Sequence, residues 1–366
     1  MHIPDGYLSP STCAALYAAA LPFWTVALRR VRALLATRFV PLISLFAAFS
    51  FVIMMFNLPL PGGTTGHAVG IAMAAIVLGP WGASLAISVA LAIQALLFGD
   101  GGILTLGANC FNLAIAGSFV AAAVYRLAAA GAPLPAPRRV FAAGLAGYCA
   151  INAAAFLTAL ELGLQPLLFH DASGAALYAP YPLNVAVPAM MLGHLTFAGL
   201  AEALLTAGVV RYLQQSEREL LGGGVLTAIG MPSLGSGLLN GGGSTRRLWA
   251  WLGLLLVMSP LGLLAAGSAW AEWSPAELAE PEARAAIAAA SGGNELPAVV
   301  PRGLGRLATL WTAPLPDYAP AFLRSAAMGY LISALVGVGI IVLTVVGLQR
   351  LVDRTRRGGP QAAPSR

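Results

Sequence analysis

The sequence predicts an all-α, polytopic membrane protein: a body of seven apolar helices followed by two further transmembrane helices. Three observations carry this. Only 9% of the 366 residues are charged, where a soluble domain carries about 25%. Hydrophobic residues make up 58%, and the mean hydropathy is +0.81. The apolar residues also fall in long runs separated by Arg-bearing stretches. So few charges cannot cover the surface of a soluble fold this large, so soluble enzyme folds are excluded first.

A spanning helix needs about 17–25 apolar residues. Runs that reach or approach this length lie at 11–28, 39–56, 66–79, 81–98, 104–126, 139–160, 184–211, 248–268 and 326–349. The third and fourth are divided only by Gly79-Pro80-Trp81-Gly82, a tight turn signal. The third is short, so the chain near His67 is expected to dip into the protein at membrane depth, where irregular backbone needs protein or water around it. Gly222-Gly223-Gly224 and Gly241-Gly242-Gly243 frame a stretch with little helical pattern, which reads as a flexible linker. Four parts follow: a body at 1–212, a Gly-rich linker at 213–247, a two-helix segment with a long loop at 248–349, and a tail at 350–366.

The arginines set the orientation. There is no lysine; all 20 basic residues are Arg. With the N-terminus outside, the inner segments hold Arg29, Arg30, Arg32, Arg38, Arg126, Arg138, Arg139, Arg211, Arg218, Arg246, Arg247, Arg350, Arg354, Arg356, Arg357 and Arg366. Only Arg284, Arg302, Arg306 and Arg324 fall outside, all in one long loop, and long loops weigh little in the positive-inside rule. The short outer loops carry Asp100, Glu161 and Asp171. A plasma-membrane protein with its N-terminus outside and C-terminus in the cytoplasm is expected. The net charge of +6 forms no single basic stripe, so no nucleic-acid partner is implied. Cys13, Cys110 and Cys149 are too few and too scattered for a disulfide framework or thiolate site. No Lys or Arg precedes the first apolar run, so a signal-peptide n-region is missing, and the mature chain is expected to begin at Met1.

That expectation matters for the chemistry. The terminal amine and the His2 amide nitrogen would close a five-membered chelate ring on a metal, and the amide and His2 Nδ1 a six-membered one. Three nitrogens then fill three corners of a square, a set that favours Ni(II) or Cu(II) over tetrahedral Zn(II). Read alone, His2 is an ordinary residue of a frayed terminus. The turn formers in Ile3-Pro4-Asp5-Gly6-Tyr7-Leu8-Ser9-Pro10 point instead to a folded lead-in. An N-terminal extension should abolish the chelate yet leave folding intact, since residues 1–10 are expected to add little to the helical core. Of the other histidines, His67 follows a Gly-rich turn on the outside, His170 is in an outer loop, and His194 lies in the seventh run. His194 and Glu202 share a helix face, and intramembrane ionisable groups are functional candidates; helix packing is the competing reading.

Several signatures are missing: His-Glu-x-x-His, a Walker lysine and Cys-x-x-Cys. Gly-Ser-Gly at 235–237 lies in the linker rather than on a buried helix, so an intramembrane hydrolase is disfavoured, and the protein is not expected to be an enzyme. A passive metal channel, or a permease working without ATPases, is the principal alternative to an ATP-driven system.

The opening Met1–Pro10 closely resembles that of the CbiM/NikM family, the substrate-binding membrane subunits of energy-coupling-factor importers for cobalt and nickel. Pro61–Gly70 (PGGTTGHAVG), Phe98–Gly102 (FGDGG) and Leu106–Gly117 (LGANCFNLAIAG) match as well, so the resemblance covers roughly residues 1–212. It implies an S-component body whose metal is held by the Met1 amine, the amide and imidazole of His2, and His67. Asp5, Thr64 and Asn109 become candidates for supporting or gating those ligands. Residues 248–349 resemble, more loosely, the small N-type component of such importers, on Ser259–Leu264 and Pro316-Asp317-Tyr318. The resemblance further implies a membrane coupling protein and cytoplasmic ATPases as partners, with Ni(II) or Co(II) as cargo and no resident cofactor. Ala14, Ala15, Ala18 and Ala19, and Ala47 and Ala48, offer small-residue faces for packing within the chain or against that coupling protein.

Overall fold

Ser9 and Pro10 start the first helix. The Ser9 hydroxyl accepts from the Thr12 N–H at 3.1 Å, and Pro10 fills the first helical position, where its missing N–H costs nothing. This computed structural model describes residues 1–35, 40–218, 220–221, 244–265, 267–297, 299–320 and 322–357. Both Gly clusters of the expected linker, and Gly-Ser-Gly at 235–237, lie outside the described residues.

The first helix, α1, runs Pro10–Leu35. A shorter apolar helix follows, α2 (Val40–Met54). A small antiparallel hairpin pairs β1 (Leu58–Leu60) with β2 (Thr64–Gly66). Its turn has Gly62 and Gly63 at φ of 87° and 79°, a conformation that glycine adopts without penalty. Then come α3 (Ile71–Phe98), α4 (Leu106–Ala128), α5 (Pro137–Leu168) and α6 (Leu183–Ser216). The C-terminal segment holds α7 (Arg246–Leu264), α8 (Pro281–Ala290), α9 (Arg302–Leu307) and α10 (Ala326–Leu351). Among the described residues, seven helices are long and apolar enough to cross a membrane, and the fold class is the all-helical one predicted.

The predicted runs 66–79 and 81–98 are the two legs of α3. A straight helix of 28 residues would part its ends by about 42 Å. Yet His67, just before it, stacks on His2 with ring centroids 5.0 Å apart. Asp100, just after it, lies 2.7 Å from the same ring. The chain must therefore fold back, and Gly79 is where it does so, with φ 73° and ψ 164°, a region essentially closed to other residues. Residues 71–78 form a leg of only about 12 Å, because residues 67–70 stay out of the helix. The expected short third run is this leg, with residues 67–70 outside the helix.

Close packing rests on small residues. A Cβ on Gly147 of α5 would lie 2.9 Å from the Glu202 carbonyl of α6, so these two helices meet backbone to backbone, as membrane helices with small residues do. The C-terminal helices pack on α2 in the same way: a Cβ on Gly337 would stand 2.2 Å from the Phe51 ring, and one on Gly262 2.0 Å from the Met55 carbonyl. Ala47 and Ala48 are buried by the chain's own helices, so the small-residue face expected on α2 is taken up internally. Ala14, Ala15 and Ala18 on α1 remain exposed. At the far end of the body, α6 continues to Ser216, past the expected boundary at 212.

The long loop between α7 and α10 folds over one end of the body. Thr65 N–H bonds the Ser268 carbonyl at 3.3 Å, Leu304 N–H the Leu177 carbonyl at 3.1 Å, and Leu315 N–H the Leu97 carbonyl at 2.9 Å.

Candidate metal centre

The chain's first nine residues are pinned one after another. Asn109 of α4 brackets Ile3: its Oδ1 accepts from the Ile3 N–H at 2.8 Å and its Nδ2 donates to the Ile3 carbonyl at 3.1 Å. The same carbonyl accepts from Gly102 N–H at 3.0 Å and from the Thr105 hydroxyl. Asp5 caps the start of α4, accepting from the N–H groups of Ile103, Leu104 and Thr105 at 3.1, 2.8 and 3.3 Å. Burial raises the Asp5 carboxyl above its ordinary value, and those three donors offset part of the rise. Tyr7 donates to the Trp273 carbonyl at 2.8 Å, and Ser9 N–H to Gln165 Oε1 at 2.9 Å. Met1, Ile3, Tyr7 and Leu8 belong to the hydrophobic core. This corrects the expectation that residues 1–10 add little to it.

The glycines of Phe98–Gly102 explain themselves here. Gly101 has φ 82°, and a Cβ on it would crowd Asn109 Nδ2 at 3.0 Å and His2 Cβ at 3.4 Å. A Cβ on Gly102 would sit 2.0 Å from Asp5 Oδ1. Only a loop without side chains can cross the terminal strand this closely.

With that strand fixed, Met1 and His2 are delivered to a single place. The Met1 amine pairs with the Glu272 carboxylate from the C-terminal loop. His2 is 2% exposed and stacks on the His67 ring at an interplanar angle of 24°. His2 Nδ1 faces Asp100 Oδ1 at 2.7 Å, and its buried Nε2 has no hydrogen-bond partner among the described residues. Buried polar atoms are normally satisfied, and a buried imidazole nitrogen without a partner, on a ring beside a carboxylate, is a donor arrangement suited to a cation. His2, Asp100 and Glu272 bring one ligand atom each to within 4.8 Å of one another. Tyr318 closes the far side, its hydroxyl donating to Asp100 Oδ2 at 2.6 Å.

Electrostatics favours a cation. Burial, then the neighbouring His2 ring and the terminal amine, push His67 down to about 3. Its imidazole is therefore neutral, with a lone pair to offer. Burial alone would raise Asp100; the His2 and His67 rings and the Tyr318 hydroxyl outweigh it and hold the carboxyl below its ordinary value. A cavity of 520 Å³ adjoins these groups, lined by Asp5, Tyr7, His67, Asp100, Glu272 and Tyr318 among others.

Of the residues singled out in the sequence, Met1, His2 and His67 converge at this centre, and Asp5 and Asn109 hold the strand that delivers the first two. Thr64 lies in β2 opposite Leu60, and no side-chain bond ties it to the terminal residues among those described. His170 is exposed, away from the centre. The ring of His194 is buried, with Nδ1 2.8 Å from the Met190 carbonyl of its own helix. Sequence reasoning missed Asp100 and Glu272. Asp100 carried a faint signal, an acid among glycines between two apolar runs. Glu272 carried none, being 271 residues from its partner.

Fold and centre together define a multi-pass membrane protein that gathers an amine, two imidazoles and two carboxylates beside a cavity at one end. The chain belongs to the CbiM family, whose profile, described as the cobalt uptake substrate-specific transmembrane region, matches residues 2–220. It is 56% identical to the fused nickel transport protein NikMN of Rhodobacter capsulatus, over 98% of this chain and 100% of that one. It is 41% identical to the probable fused nickel transport protein LarMN of Lactiplantibacillus plantarum, over 97% and 100%. A crystal structure of a truncated transition metal transporter superposes with a TM-score of 0.56 at 54% identity, covering 59% of this chain and 99% of that one.

Proposed function

We propose that this protein is the substrate-capture subunit of an ATP-driven importer for Ni(II) or Co(II). The observation that carries the reading is the buried convergence of the Met1 amine, the His2 ring and a neutral His67 beside the Asp100 and Glu272 carboxylates. In this reading the Met1 amine, the His2 amide and Nδ1, and His67 surround the cargo as four nitrogens. Asp100 and Glu272 supply negative charge beside them. Such a set requires the amine and amide to give up protons, so binding releases protons and weakens in acid.

The 16 arginines on one side of the predicted spans support a cavity facing outward, with the cytoplasmic side at the opposite end. Reporter fusions after Arg139 should read cytoplasmic, and those within 270–320 extracytoplasmic. The reverse pattern would turn the site to the wrong compartment. A sequence without lysine has no Walker ATPase, so energy would come from separate ATPases acting through a membrane coupling protein. Residues 248–349 act in this scheme as a fused N-type component closing over the site.

The decisive experiment is metal content of the purified, N-terminally untagged chain, paired with uptake in cells. One Ni(II) or Co(II) per chain, and uptake only when coupling protein and ATPases are co-expressed, is the expected result. Uptake by this chain alone would establish the passive channel or ATPase-independent permease instead.

A further inference from the structure

His67 sits at the end of a segment that cannot hold itself in place. Residues 67–70 are neither strand nor helix, and they lead into the short first leg of α3. The opening N–H groups of any helix lack partners within it, and a side chain just before the first turn normally supplies one. Here that position is Gly70, with φ 76° and no side chain. Residues 64–80 are buried throughout, away from bulk solvent.

The acceptor comes from another helix. Glu202 of α6, fully buried, takes Val69 N–H at 2.7 Å and Gly70 N–H at 2.9 Å on Oε2, and Ile71 N–H at 2.8 Å on Oε1. Three bonds from one carboxylate to a helix N-terminus are charge-assisted and aligned with the helix dipole. Ser50 of α2 secures the same peptide from the other side, donating to the Val69 carbonyl at 2.8 Å. The height of Glu202 is itself set by the backbone contact of α6 with Gly147 of α5.

From this geometry we propose that Glu202 is the positioning residue for His67. It clamps the three peptide groups that begin two residues beyond the imidazole, and so fixes where that ring stands against His2. Because α6 runs on to Ser216 at the opposite end of the body, a displacement of α6 is carried to one ligand of the cargo through a single carboxylate. The inference rests on the reading of His67 as a metal ligand.

The test is a double-mutant cycle on the full untagged chain, with Ni(II) affinity as one readout and the visible absorption band of bound Cu(II) as the other. Glu202→Gln keeps the shape but leaves one acceptor oxygen and turns an N–H₂ toward the peptide donors. Its Ni(II) affinity should fall by about tenfold or more, the range for residues supporting a metal ligand. Its Cu(II) band should shift toward that of His67→Ala, as one nitrogen is replaced by water. The double variant should bind no more weakly than His67→Ala alone, because Glu202 acts only through that ring. Wild-type affinity in Glu202→Gln, or additive losses in the double variant, would overturn the proposal while leaving His67 a ligand. Unchanged affinity in His67→Ala would overturn both. If Glu202→Gln does not yield folded protein, Glu202→Asp carries the same cycle: it retains both oxygens one methylene short. An intermediate loss that vanishes in the His67→Ala background supports the role, and undiminished affinity or an additive loss refutes it.

Discussion

The two segments that close the cavity come from opposite ends of the chain and are held in different ways. Residues 1–9 are fixed by their backbone: Ile3 is bonded on both its N–H and its carbonyl, and Ser9 through its N–H. The C-terminal loop is bonded to the body at Ser268, Leu304 and Leu315 and reaches the centre through Glu272 on the Met1 amine, the Trp273 carbonyl on Tyr7 and the Tyr318 hydroxyl on Asp100. The Met1 side chain is 1% exposed, whereas that of Glu272 is 20% exposed. One segment delivers nitrogen donors in a rigid register. The other brings compensating charge from a half-open position. If that division is right, perturbing the first should destroy the site and perturbing the second should only tune it.

Blocking the amine is the largest break available. An N-terminal tag of several residues removes the donor and must also fit where Met1 is buried beside Glu272. Metal affinity should fall by about 100-fold or more, measured by equilibrium dialysis against a chain tagged only at the C-terminus. Thermal stability should drop too, because Met1, Ile3, Tyr7 and Leu8 leave the core. An extended protein that binds metal normally would show that the amine is no ligand.

Next in size is Asn109→Ala. It touches no proposed ligand, yet it strips both side-chain bonds from Ile3 and leaves the buried Ile3 N–H without its acceptor. An unsatisfied buried group costs about 1–3 kcal/mol, and the strand can recover part of this only by shifting. Affinity should fall about tenfold and hydrogen exchange near the terminus should quicken. Normal affinity with slow exchange would mean that the strand holds its register without Asn109.

The same division governs what was legible in the sequence. Met1-His2 could be proposed as a chelate because its rings would be made by bonds along the chain, and composition and apolar run lengths were enough for the fold class. Gly79-Pro80 announced a turn, but its consequence depended on His67 and Asp100 meeting at one ring, a tertiary fact. Asp5, Thr64 and Asn109 entered as candidates only through the family resemblance, without the roles of Asp5 as helix cap and Asn109 as bracket of Ile3. Glu272 and the clamp by Glu202 were invisible, since each acts on backbone or terminus more than 130 residues away and no local spacing records such a partnership. The expectation that the terminus lay outside the core failed for a related reason. A short stretch of mixed polarity reads as loose until the loop that buries it is known.

Acid should sharpen the assignment of protons. His67 is held neutral down to about 3 by its burial, so across about pH 5–8 the protons released on binding come from the other donors. The slope of log affinity against pH should therefore be the same in His67→Ala as in the unmodified chain, although affinity is lower. A shallower slope in the variant would place a released proton on His67. Stability follows the linked sign. Between the ordinary value of 6.5 and about 3, the unfolded imidazole takes up a proton that the folded one refuses. His67 thus lowers stability progressively as pH falls through that window. His67→Ala should flatten this part of the acid-denaturation curve.

The smallest expected effect belongs to the C-terminal loop. Glu272→Gln removes a negative charge beside the cavity and takes away no nitrogen donor. A carboxylate at the rim of a cavity raises the local concentration of an approaching divalent cation. Its removal should slow Ni(II) association by roughly twofold to fivefold at low salt. The difference should shrink as ionic strength rises, because the Debye length falls from about 30 Å at 0.01 M to about 3 Å at 1 M. Equilibrium affinity should change less than in Asn109→Ala, since the amine remains in place for the metal. Stopped-flow association at several salt concentrations separates the outcomes. A salt-dependent rate with nearly constant dissociation supports a tuning role. A loss as large as that from blocking the amine, independent of salt, would make Glu272 a ligand in its own right and erase the distinction between the two ends of the chain.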